Sequence, residues 1–135
     1  MPLKLTLKPH EKLIIAGAVV TNGDVKCDLI IENKVPILRE KDVMREEDAI
    51  SPCSKIFFVV QLMYVDPDNI VDHHNAYWNL VREVIKAAPS MINLISRISE
   101  EILSSNYYKA LKLSKQLIDY EKEVVSYVRK PIGSV

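Results

Sequence analysis

Asp72-His73-His74 is the densest run of metal-capable side chains in the sequence, and it falls in a stretch with helical periodicity. Neighbouring residues on a helix point about 100° apart. His73 and His74 therefore cannot share one ion without further ligands, and zinc-like sites need three or four convergent donors. His74 is read as a partly buried helix residue, His73 as an exposed one, and His10 stands alone in a turn. Glu46-Glu47 and Glu100-Glu101 are sequence neighbours that diverge on a helix and belong to solvated surface. No nucleophile elbow and no Cys–His signature occurs, and three glycines leave little material for a phosphate-cradling loop. An enzyme is not the expected class, and no metal or cofactor is expected.

Two basic groupings remain. Lys4 and Lys8 share a strand face with Thr6 between them, and Lys34, Arg39 and Lys41 follow near the end of the same region. From Met1 to Arg45 the chain carries eight basic and six acidic residues. The second grouping is Lys109, Lys112 and Lys115 in YYKALKLSK, beside Tyr107 and Tyr108. Either could follow a phosphate backbone, with tyrosine stacking on bases. The plain alternative for each is an ordinary solvated lysine face. Because the formal net charge is zero, any nucleic-acid contact has to come from such a local patch.

The elements that must position these residues divide in two. Leu3, Leu5 and Leu7 alternate with Lys4, Thr6 and Lys8, which separates leucines and lysines onto opposite strand faces. Pro9-His10-Glu11 breaks that strand, and Leu13-Ile14-Ile15 opens the next. Ala18-Val19-Val20 leads to Asn22-Gly23-Asp24, read as a type I′ hairpin turn that returns through Leu29-Ile30-Ile31. Val35 to Leu38 is a last strand, carrying Arg39. These strands make a small curled sheet or barrel-like unit over residues 1–45, too small to be comfortable alone.

The charged run 46–50 is a connector, and a helical domain follows over 51–128. Its centre is SPCSKIFFVVQLMYV, where Gln61 is the one polar residue between Ile56 and Val65. Ser51 as N-cap and Pro52 at the first helical position predict a helix buried on nearly every side. A buried strand competes, since Ile, Phe and Val also suit a sheet; cap and length favour helix. Lys55 and Asp66 bracket the run, and it is shorter than the ~20 apolar residues a membrane span needs.

Asp68 or Asn69 caps a second helix with His74, Tyr77, Trp78, Val81, Val84, Ile85 and Ala88 on its apolar positions. Pro89 ends it and begins a third through Met91, Ile92, Ile95, Ile98 and Ile102. After Ser104-Ser105-Asn106, a fourth carries two apolar stripes, Leu111/Ile118/Val125 and Leu113/Leu117/Tyr120/Val124. Two stripes imply two neighbours, or one neighbour and a partner protein. Residues 129–135 are expected to fray. The class is α+β: a small antiparallel β-unit, then a four-helix bundle. Cys27 and Cys53 have no C-x-x-C spacing and no secretory leader before them, so reduced structural thiols in a cytoplasmic protein are expected.

The stretches MPLKLTLKPHEKLIIAGAVVTNGD, LIIENKVPILREKDVM, KIFFVVQLMYVDPDN and NYYKALKLSKQLIDYEKEV together resemble the FlbT family of small flagellar regulatory proteins, in register from Met1 to about Tyr127. That resemblance implies post-transcriptional control of flagellin through the 5′ untranslated leader of its mRNA, chiefly as a repressor, with activation in some members. A second likeness covers less of the chain. Leu3-x-Leu5-Thr6-x-Lys8-x-x-Glu11-x-Leu13-x-Ile15 and Leu38-Arg39-Glu40 are similar in spacing to the carbon storage regulator family, β-rich dimers that bind GGA-containing loops in mRNA leaders. It implies Leu5, Thr6, Lys8 and Arg39 as RNA contacts, although Leu7 stands where that family has a basic residue and His10 replaces its glycine. Asp72-His73-His74 also resembles the signature of a phosphoesterase family, whose other Asp and His motifs do not occur here.

Two function classes follow. In the first, the β-unit binds the flagellin mRNA leader through Lys4, Leu5, Thr6, Lys8, Lys34, Arg39 and Lys41, and a homodimer through strand pairing is one expected arrangement. Decay or blocked translation would follow without any bond made by the protein. In the second, the helical half binds flagellin or a flagellar accessory protein through Tyr107, Tyr108, Lys109, Lys112 and Lys115, and the mRNA responds indirectly.

Overall fold

The computed structural model describes residues 2–129, with side chains described for residues 2–124. Among these, five strands precede four α-helices: β1 (Leu3–Leu7), β2 (Lys12–Ile15), β3 (Ala18–Thr21), β4 (Cys27–Ile31), β5 (Ile37–Arg39), α1 (Pro52–Val65), α2 (Ile70–Ala87), α3 (Ile92–Leu103) and α4 (Tyr107–Arg129). This is the α+β order expected. The chain forms two compact units that divide between Val43 and Met44. Residues 130–135, within the segment expected to fray, lie outside the described residues, and so does the side chain of Val125.

In the N-terminal unit the strands form two antiparallel sheets, β1–β4 and β3–β2–β5. Alternation decides which side of β1 is buried: Leu5 and Leu7 point inward and Lys4 is exposed. Leu5 lies opposite Leu29 and Leu7 opposite Cys27. Leu5, Leu7 and Leu13 form a core against which Ile15, Cys27, Leu29, Ile31 and Ile37 pack. Fully burying one such leucine stabilises by about 2 kcal/mol.

The turn chemistry differs from the expectation. The tight β2–β3 hairpin closes through Ala16 (φ 49°) and Gly17 (φ 85°), two consecutive left-handed residues as a type I′ turn requires. Asn22-Gly23-Asp24 instead links β3 to β4, which lie in different sheets. The Asn22 carboxamide takes up the backbone there, donating from Nδ2 to the carbonyls of Lys8 (2.8 Å), Val25 (2.9 Å) and Leu7 (3.3 Å).

In the helical unit, α1 starts where the cap predicts. Ser51 Oγ accepts from the Ser54 amide at 3.2 Å, and the Glu121 carboxylate of α4 accepts from the Cys53 amide at 3.2 Å. Two of the orphan donors of the first turn are thus satisfied, and the carboxylate meets the positive end of the helix dipole. From Ile56 to Val65 no residue of α1 is exposed. It packs against both α2 and α4, and α3 packs on α4. The two stripes of α4 therefore have two neighbours within the unit. Tyr77, Val81 and Val84 of α2 and Ile95, Ile98 and Ile102 of α3 complete the core, whereas Ile92 is exposed.

The lone polar residue of α1 has a definite task. Gln61 is buried, and its carboxamide closes a two-way pair with the backbone of Met44: Oε1 accepts from the amide at 2.8 Å and Nε2 donates to the carbonyl at 2.9 Å. Gln61→Leu leaves both groups of Met44 without these partners. A lower urea midpoint at unchanged slope, equivalent to about 2 kcal/mol, is the expected outcome.

Candidate functional site

β1 ends at Leu7 because Pro9 cannot continue the ladder, and His10 takes a left-handed conformation (φ 63°) that turns the chain back into β2. Pairing of β5 with β2 sets Arg39 opposite Leu13. The two stretches thereby enclose an open recess of about 420 Å³, lined by Lys8, Pro9, His10 and Glu11 on one side and Arg39, Glu40 and Lys41 on the other. Three cations and two carboxylates share this lining, with His10 beside them.

Arg39 and Glu11 hold the recess together. Arg39 Nη2 donates to the carbonyl of Thr6 at 2.7 Å and to Glu11 Oε2 at 3.1 Å, and the two side chains are 31% and 14% exposed. Glu11 Oε1 accepts from the Lys8 amide at 2.9 Å. That bond, followed by the Arg39 guanidinium, lowers the Glu11 pKa against the opposing effect of burial. Arg39 Nε is buried with no hydrogen-bond partner among the described residues. Nη2 of the guanidinium is committed internally, while Lys8 and Lys41 are exposed at the recess.

The other nominated residues of the β-unit lie elsewhere. Leu5 is in the core, so its side chain offers nothing to a ligand at the surface. Thr6 Oγ1 donates to Asp28 Oδ1 at 2.7 Å and Lys4 Nζ lies 3.6 Å from Asp28 Oδ2, contacts that lower the Asp28 pKa. Lys34 is exposed between β4 and β5 and does not line the recess. Of the seven residues, Lys8, Arg39 and Lys41 are brought together.

In the helical unit, Tyr107 Oη lies 3.3 Å from His74 Nε2. Tyr108 stacks at a tilt on Tyr64 at 5.5 Å, and Lys112 Nζ sits 5.1 Å from the Tyr108 ring centre, within cation–π range. Lys109 and Lys115 are exposed. His73 is not the exposed residue expected: its side chain is 12% exposed and its Nε2 lies 3.0 Å from Asp66 Oδ2. The two adjacent histidines thus hold separate partners. Among the described residues no group of three or more His, Cys, Asp or Glu is placed to hold a metal ion. Burial, reinforced by Glu121, pushes the Cys53 thiol up to about 12, so it stays protonated at neutral pH. No helix among the described residues is long and apolar enough to cross a membrane.

Glu11 and His10 line the recess although the sequence marks them only as residues of a turn. Glu11 and Arg39 are 28 residues apart, and only the β2–β5 pairing makes them neighbours. A carboxylate whose folded pKa is lowered contributes stability that is present above its ordinary value, 4.5 for Glu11, and is lost as pH falls through the lowered folded value. Glu11→Gln is expected to remove that part of the acid dependence of β-unit unfolding. Circular dichroism melts from pH 7 down to pH 3 check it, the variant differing most from the parent at the upper end.

A family model described as "Flagellar protein FlbT" matches residues 3–125. Over 125 residues the chain is 42% identical to the probable flagellum biosynthesis repressor protein FlbT 1 of Bradyrhizobium diazoefficiens, covering 92% of this chain and 85% of that one. It is 40% identical over 126 residues to the probable flagellum biosynthesis repressor protein FlbT of Rhodopseudomonas palustris, covering 93% and 99% of the two chains. The flagellum biosynthesis repressor protein FlbT of Caulobacter vibrioides is 37% identical over 136 residues, with 99% and 96% covered. No solved structure matches. Agreement that runs from the first strand into the last helix carries the conclusion that this chain belongs to the FlbT family.

Proposed function

We infer that this protein is a repressor in flagellum biosynthesis that works without chemistry of its own, by binding single-stranded RNA at the recess of the β-unit. The relatives' names support the regulatory role. The observation that carries the RNA reading is the recess itself, where Lys8, His10, Arg39 and Lys41 converge from stretches some 30 residues apart. Two exposed lysines can neutralise phosphates, and the Arg39–Glu11 pair already holds the wall between them in place. The flagellin mRNA leader is the proposed target. A protein seated there blocks ribosome access or exposes the message to nucleases. The β1–β4 sheet is two-stranded, so either edge can pair with a second copy to present two recesses to one looped leader.

A second reading rests on Tyr108, which is 46% exposed at the start of α4 with Lys112 over its ring. An aromatic platform with lysines beside it suits a protein partner, flagellin or a flagellar accessory protein. Both α4 stripes are already engaged by α1 and α3, so that partner would meet the helix start rather than an open seam.

Fluorescence anisotropy with leader RNA over a salt series separates the two. Lys8→Ala combined with Lys41→Ala is expected to weaken binding and to flatten the salt slope by about 1.4, since each single-strand phosphate left without its lysine reduces the slope by ~0.7. Lys109→Ala combined with Lys112→Ala should bind as the parent does. If the first pair binds as tightly as the parent, the recess is not the RNA surface.

A further inference from the structure

Asn22 is followed by Gly23, and each of the chain's other six asparagines is followed by a bulkier residue. Asparagine is a thermolabile side chain, and a following glycine, lacking Cβ, leaves its own amide nitrogen free to reach the asparagine carbonyl carbon. Here the Gly23 nitrogen lies 2.8 Å from Asn22 Oδ1, against the same carboxamide it would attack.

The fold holds that carboxamide in place. Its Nδ2 donates to the carbonyls of Lys8, Val25 and Leu7, and its Oδ1 accepts from the Gly23 amide and from Cys27 Sγ at 3.2 Å. The nitrogen that would have to leave is the one tied down, and donation from it strengthens the amide bond. Two backbone bonds tie the same loop to the recess: the Asn22 amide donates to the Glu11 carbonyl at 2.9 Å and the His10 amide to the Gly23 carbonyl at 3.0 Å. Residues 22–25 are the buttress of the turn that carries Lys8, His10 and Glu11.

We propose that Asn22-Gly23 is a deamidation site, protected while the β-unit is folded and converted once it opens, and that conversion permanently disables the recess. In the opened chain the Gly23 nitrogen attacks Asn22 Cγ. A C–N bond forms, the Cγ–Nδ2 bond breaks, and ammonia leaves carrying the proton lost by Gly23. Water then opens either carbonyl of the cyclic imide, giving aspartate or isoaspartate at position 22. The product cannot resume the native contacts, because a carboxylate has no donor and would face three carbonyl oxygens in a half-buried place. The isoaspartate form also lengthens the backbone by one methylene. The loss of RNA binding rests on the function proposed above; the chemical step and the structural damage do not.

The full chain is held at neutral pH in buffer and, in parallel, in urea that unfolds it, and residue 22 is read by peptide mass spectrometry. The amide is expected to persist in buffer and to be lost in urea, ahead of the other six asparagines. After removal of urea, converted chains should lack hydrogen-exchange protection at the His10 and Asn22 amides and should not bind leader RNA, and Asn22→Asp should share both defects. A Cβ at Gly23 meets nothing within 4 Å and its φ lies outside the left-handed region. Gly23→Ala should therefore slow conversion in urea while keeping protection and binding. Equal conversion in buffer and urea, or full protection in Asn22→Asp, overturns the proposal. Since protection is read without RNA, a parent that binds no RNA removes the recess as an RNA site and leaves this test standing.

Discussion

A helix with no polar face has to be covered on every side, and that constraint organises the helical unit. Between Ile56 and Val65 every residue of α1 is buried or half-buried, so α2 and α4 lie along it and α3 packs on α4. The start of α1 is then inside the protein's reach rather than the solvent's, and Glu121 arrives from α4 to meet the amide of Cys53. Tyr77 of α2 follows the same logic. Its ring is fully buried, its hydroxyl finds Ser99 of α3 at 2.8 Å, and burial pushes its pKa up to about 12 in spite of that bond.

The β-unit meets a different problem. Its core is a handful of leucines and isoleucines, too few to dictate every loop, and the loops are fixed by polar side chains that grip backbone. Asn22 holds three carbonyls, Glu11 holds the Lys8 amide, and Arg39 joins the end of β5 to the Thr6 carbonyl of β1. The recess is a by-product of these bonds: its walls are the groups that stitch the strand ends together. Its shape is therefore set by polar contacts at the strand ends rather than by the small core.

Helices are legible in the sequence because their signals are local and redundant. The Ser51-Pro52 start, the apolar run, and the prolines at positions 67 and 89 each mark a boundary that the structure keeps. Alternation in β1 is equally plain. The sheet pairing is not, since Asn22-Gly23 has the composition of a hairpin while the hairpin belongs to Ala16-Gly17, where alanine tolerates a left-handed φ at a cost of about 1 kcal/mol. Lys8, Arg39 and Lys41 can be nominated from charge, but their meeting in one recess depends on β2–β5 pairing, a contact between distant stretches that composition does not encode. The fate of Arg39 is hidden for the same reason: its partner Glu11 is visible as an acid near a turn, and only register makes it a neighbour. The shielding of His73 escapes the helical pattern because its partner, Asp66, sits on the preceding helix end rather than on its own helix.

The sulfur of Cys53 lies 3.7 Å from that of Met91, walled in at the junction of two helix starts, with a proton it holds to about pH 12. A thiol kept in that state is a poor target for peroxide, glutathione or alkylating agents, which need the anion and a path to it. Burial thus keeps this thiol a structural side chain for as long as the helical unit stays folded around it.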